Sequence, residues 1–162
     1  MNGQLNISTR FDLPDARALD DFDMEMIRLG GKFYTTFRKG YTFNGDNQCQ
    51  NPMTCYDFTG KCLFFKFKAA IYEDDKIVCG WEHGLNGSLY GAWFQFADTK
   101  YNGERYSVEG SFKTQLDLFI NSIKNAPKSN LPSNAATLYN IKNDLRLLEM
   151  DYQSLFFQQS LF

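Results

Sequence analysis

The sequence predicts an α+β fold: an antiparallel sheet of about five strands in a meander, with one helix before it and two after it. Three observations predict it. Apolar residues recur at helical spacing near both ends of the chain. They alternate at strand spacing through its middle. The connections between the alternating segments are short and polar, which favours antiparallel neighbours. The 162 residues fit one domain, 1–162. Sixteen Phe, nine Tyr and two Trp make 17% of the chain aromatic, which suits a ring-packed β core.

The first helix is expected over 10–31. Asp12 can cap it, Pro14 suits its first turn and Gly30-Gly31 can end it. Leu19, Phe22, Met26 and Leu29 form its apolar stripe, and Asp15, Asp20, Asp21, Asp23 and Glu25 lie on or near its outer face. The sheet is expected over 32–110. Strand 32–43 places Phe33, Phe37, Tyr41 and Phe43 on one side, opposed to Lys32, Tyr34 and Arg38. Residues 44–60 read as an irregular loop. Strand 61–72 sets Leu63, Phe65, Phe67 and Ile71 against Phe64, Lys66, Lys68 and Tyr72. Strands 76–83, 89–97 and 104–109 follow, with turn signals at Asn86-Gly87 and Asn102-Gly103.

Two helices close the chain. The first is expected over 111–126, capped by Ser111, with Leu116, Phe119, Ile120 and Ile123 buried and Pro127 beyond its end. The second is expected over 134–157. Its residues Leu138, Ile141, Leu145, Leu148, Tyr152 and Leu155 repeat at spacings of 3, 4, 3, 4 and 3, a heptad seam.

The net charge of −2 hides three blocks. Residues 1–27 carry net −4, residues 28–72 net +5 and residues 73–162 net −3. No run of apolar residues is long enough for a membrane helix, and residues 1–10 lack an apolar leader core, so a cytoplasmic protein with reduced cysteines is expected.

Catalytic patterns are sparse. No phosphate-loop or dinucleotide glycine motif occurs. His83 is the one histidine, so any His-dependent triad must use it; an unrecognised site around Asp57, Glu82 and His83 is the residual enzymatic option. Asp57 followed by Lys66 and Lys68 echoes a metal-dependent nuclease layout, but Lys66 stands where the second carboxylate is needed. Cys49, Cys55 and Cys62, with Cys79 or His83, lack the close-spaced pair that aims two thiolates at one zinc ion. The expectation is therefore no cofactor, no metal and no enzymatic activity.

Interaction surfaces carry the functional expectation. The heptad seam suits a helix partner, either a second copy in a homodimer or another protein. Phe156, Phe157 and Phe162 add apolar groups at the C-terminus. The acids Asp20, Asp21 and Asp23 offer a charged face to a basic partner. Together they suggest an inhibitor-type accessory protein, such as an immunity or viral factor, that occupies a partner surface. The alternative is a single-stranded nucleic-acid binder. It would use Tyr34, Arg38, Phe64, Lys66, Lys68 and Tyr72, since rings stack on bases and cations neutralise phosphates.

Overall fold

Strand β4 (Leu63–Ile71) runs through the centre of the molecule. Leu63, Phe65, Phe67, Ala69 and Ile71 are buried, while Phe64, Lys66 and Lys68 are partly exposed. That is the expected alternation, and it sets the two faces of the sheet. The computed structural model describes residues 13–30, 35–45, 48–73, 77–85, 88–97 and 108–156; for 88–97, 108 and 109 it describes the backbone alone.

Four antiparallel strands lie in the order β3 (Met53–Thr59), β4, β5 (Ile77–Leu85) and β6 (Ser88–Ala97). Leu85 pairs with Ser88, so the β5–β6 connection is two residues long. The Asn86-Gly87 signal that predicts it lies outside the described residues. A separate two-stranded ribbon is formed by β1 (Thr35–Thr36) and β2 (Thr42–Phe43).

The expected five-strand meander is corrected in three places. The strand expected over 32–43 folds back on itself. Lys39 (φ 61°) and Gly40 (φ 83°) adopt left-handed backbone, and Phe37 N–H donates to the Tyr41 carbonyl at 2.8 Å. The loop expected over 44–60 contains β3 instead. A bulge between Thr54 and Tyr56 buries Cys55 and Tyr56 in succession, and this hides the strand's alternation. Residues 108 and 109 of the strand expected at 104–109 belong instead to helix α2 (Val108–Lys124), which starts three residues before Ser111; 104–107, like Asn102-Gly103, lie outside the described residues.

Helices α2 and α3 (Ala135–Phe156) cover the face that carries Phe65 and Phe67. Phe112 sits 5.0 Å from the Tyr56 ring and 5.2 Å from the Phe67 ring, and Phe119 lies 5.6 Å from Phe65. Phe112, Leu116, Phe119 and Ile120 are buried, much as the expected stripe requires. Each fully buried ring of this kind stabilises the fold by about 2–3 kcal/mol. Helix α3 begins where Asn134 caps it, with Oδ1 accepting from Thr137 N–H at 3.1 Å.

Helix α3 docks through two acids as well as its apolar seam. Ile141, Asp144, Leu148 and Asp151 are its buried residues. Asp144 accepts from the backbone N–H groups of Lys61, Cys62 and Leu63 at 3.1, 2.7 and 2.9 Å. It thereby satisfies the turn between β3 and β4. Asp151 accepts from the Tyr56 hydroxyl at 2.8 Å.

The segment before β3 covers part of the opposite face. Tyr72 packs edge-on against Phe37 and Phe43, each with ring centroids 4.9 Å away. No helix among the described residues is long and apolar enough to cross a membrane.

Candidate functional site

Helix α1 (Asp21–Gly30) starts about ten residues later than expected. Residues 13–20 form no helix and act as a strap along the β1–β2 turn. Ala16 N–H donates to the Lys39 carbonyl at 2.7 Å, the Tyr41 hydroxyl donates to the Pro14 carbonyl at 2.9 Å, and Lys39 Nζ donates to the Leu13 carbonyl. Asn51 closes the strap. Its side-chain amide donates to the Arg17 and Gly40 carbonyls at 2.9 and 3.0 Å and accepts from Thr42 N–H at 2.9 Å.

Asp20 caps the helix; Asp12 lies outside the described residues. Asp23 N–H donates to Asp20 Oδ1 at 2.8 Å, and Asp20 N–H donates back to Asp23 Oδ2 at 3.1 Å. This is a reciprocal capping box with aspartate in both places. Arg17 grips the same carboxylate with two nitrogens, at 2.5 and 3.1 Å, and donates to the Gln50 carbonyl at 2.9 Å. The guanidinium holds the Asp23 carboxyl below the usual range.

This clasp fixes how α1 is turned. Asp23 and Ile27 face inward and are 5% and 3% exposed. Phe22, Met26 and Leu29 lie roughly 100° further round the helix. Phe22 is 71% exposed, Leu29 65% and Met26 42%. The stripe expected to enter the core therefore points outward, because Ile27 and the Asp23 carboxylate, gripped by a half-exposed Arg17, have taken the inward position. Met24 is exposed as well.

Beside this face runs an open groove of about 470 Å³. It is lined by Phe22 and Met26, by Pro52 and Thr54, and by Lys68 and Glu82 of the sheet face opposite helices α2 and α3. Lys68 Nζ is 2.7 Å from a Glu82 carboxylate oxygen, and Arg17 is held by Asp23.

The residues that the sequence singles out are dispersed. Asp20 and Asp21 are exposed at the start of α1, but Asp23 is buried in its clasp. On α3, Ile141 and Leu148 are buried in the chain's own core. Leu138, Leu145, Tyr152, Leu155 and Phe156 are partly buried, and all but Leu138 pack against that core. Phe157 and Phe162 lie outside the described residues. Of the basic–aromatic set, Phe64, Lys66 and Lys68 share the sheet face opposite helices α2 and α3, where they are partly exposed. Tyr72 is held in the ring cluster, Arg38 is on the β1–β2 turn, and Tyr34 lies outside the described residues.

The sheet separates the groups of the residual enzymatic option. Glu82 and Asp57 flank Lys66 in register on the face opposite helices α2 and α3. His83 is on the other face, stacked on Phe65 (6.3 Å, 6°) and 4.8 Å from Phe119. Its Nδ1 is buried with no hydrogen-bond partner among the described residues, and burial lowers its pKa. It lines a second hollow of about 380 Å³ with Leu85, Ile123 and Leu131.

The cysteines are all free thiols. Cys49 and Cys55 are pushed up to about 12 by burial, and Cys79 is raised by the same cause. Among the described residues, no three His, Cys, Asp or Glu side chains gather in a way that could hold a metal ion.

Neither a family model, nor a curated protein, nor a solved structure matches the chain. The groove and the outward face of α1 are the candidate surface that sequence reasoning misses. The missed signal is Arg17 six residues before Asp23, a pair able to claim the inward position.

Proposed function

We propose that this chain is a non-enzymatic protein-binding factor of the inhibitor or accessory kind, such as an immunity or viral factor, and that it acts by occupying a partner's surface. One observation carries the proposal: Phe22, Met26 and Leu29 stand exposed on a helix whose inward side is held by the buried Asp23 carboxylate, gripped by a half-exposed Arg17. Exposed apolar rows on a fixed helix mark docking sites, because leaving them in water forgoes burial that a partner can supply. The groove beside them provides the concave half of such a surface.

Protein is favoured over nucleic acid as the partner. Lys68 is already paired with Glu82, and Tyr72 is already packed against Phe37 and Phe43. Neither is then available to a phosphate or a base without breaking an existing contact.

The test compares proteins captured from source cells by the wild type and by the double variant Phe22→Asp, Leu29→Asp. Both positions are exposed, so the variant is expected to fold normally. Specific partners should disappear from the variant. An unchanged set of partners would overturn this assignment of the surface.

A further inference from the structure

The charges around α1 say what kind of partner fits it. The two cations lining the groove are each held internally: Arg17 by Asp23 and Lys68 by Glu82. On the exposed side of the helix, Arg28 is paired with Glu25 at 2.5 Å. The acids are in excess. Asp15, Asp20 and Asp21 are exposed at or before the first turn, and of these only Asp20 lies near Arg17, at 3.8 Å. Among the described residues, an apolar row is thus bordered by a net acidic rim, and Arg17, Arg28 and Lys68 beside it are engaged.

We propose that the occupant of the α1 groove is an amphipathic helix of a partner protein, with an apolar stripe flanked by Lys or Arg. The inference rests on the protein-binding reading above and adds the partner's chemistry. The apolar stripe would bury Phe22, Met26 and Leu29, with flanking cations over Asp20 and Asp21. A helix laid beside α1 presents anchors at i, i+4 and i+7, the spacing of these three residues. Burial supplies the affinity; the acidic rim selects the partner and speeds encounter. An acidic partner helix would meet like charge at the rim.

Three fluorescent peptides of about five helical turns test this. The first has a Leu stripe flanked by Lys, the second the same stripe flanked by Glu, and the third the Lys composition with the stripe scrambled. Anisotropy titration against the full chain is expected to rank the first tightest, by about tenfold or more over either control. Its affinity should fall as salt rises. Phe22→Asp should weaken it about tenfold although the variant is more acidic, and Asp21→Lys should weaken it while leaving the stripe intact.

Equal binding of the Lys- and Glu-flanked peptides overturns the charge selection but leaves protein docking at α1 standing. Equal binding of the scrambled peptide, or no effect of Phe22→Asp, means bulk charge attraction and overturns the proposal. No binding by any peptide also overturns it, and the capture comparison then decides the broader reading separately. Concentration-dependent dimerisation abolished by Phe22→Asp would assign the groove to a second copy of this chain and overturn the basic-helix partner.

Discussion

Gly60 lies directly against the carboxylate of Asp144: a Cβ at Gly60 would stand 2.5 and 2.6 Å from its two oxygens. The close approach lets one side chain from the middle of α3 accept three backbone N–H groups of the β3–β4 turn. It joins helix to sheet more specifically than the apolar seam does.

Asp144→Ala should therefore destabilise the fold by about 3 kcal/mol, since it strands backbone donors at a buried turn. Gly60→Ala should cost about 2 kcal/mol by overpacking. The two effects should not add. Without the carboxylate the added methyl has room, so urea denaturation of the double variant should recover most of the Gly60 cost.

Loss of the α1 clasp should act locally. Asp23→Ala removes the capping box and the Arg17 bridge, an effect of about 1–2 kcal/mol. Hydrogen exchange should speed up across 21–30 and stay unchanged in α2 and α3.

Acid should weaken the fold in two separate windows. His83 has a lowered pKa in the folded state, so the unfolded chain binds the proton more readily. Its stabilising effect is complete above the unfolded value of 6.5 and is lost as pH falls through and below it. The groups packed on it, Phe65, Phe119 and Ser122, offer no countercharge. Asp23 is also lowered, so its contribution is present above 3.8 and is lost as pH falls through its lower folded value. Unfolding midpoints against pH should show the upper step vanish in His83→Phe and the lower step shrink in Arg17→Gln.

Thiol labelling should follow burial. Cys62 is partly exposed, whereas Cys49, Cys55 and Cys79 are buried with raised pKa values. Iodoacetamide at neutral pH should modify Cys62 first, slowly because its thiol is also raised, and the other three only on unfolding. Peptide mass mapping reads the order.

Much of the fold was legible because its signals were local. The alternation of β4, the Phe119 and Ile120 stripe and the start of the last helix near Asn134 depend on residues a few positions apart. What escaped was non-local or masked by an irregularity. The Thr54–Tyr56 bulge erased the strand period of β3, and Lys39-Gly40 broke an apparent strand at a turn. At the candidate site the misreading was of orientation. Phe22, Met26 and Leu29 form a genuine apolar stripe, and hydrophobicity alone sends it inward. Contacts among Arg17, Asp23, Gln50 and Asn51, up to 34 residues apart, turn it to the surface. On α3 the non-local part is the pair of acids beside the seam, Asp144 and Asp151, whose partners lie on the chain's own sheet.

The methionines give the most direct test of which surface docks. Met24 and Met26 are exposed on α1, and Met150 is exposed on α3. With ¹³C-methyl methionine, the Lys-flanked peptide should shift the Met26 signal and leave Met150 in place. A shift of Met150 with Met24 and Met26 silent would contradict docking at α1 and return the interface to the C-terminal helix.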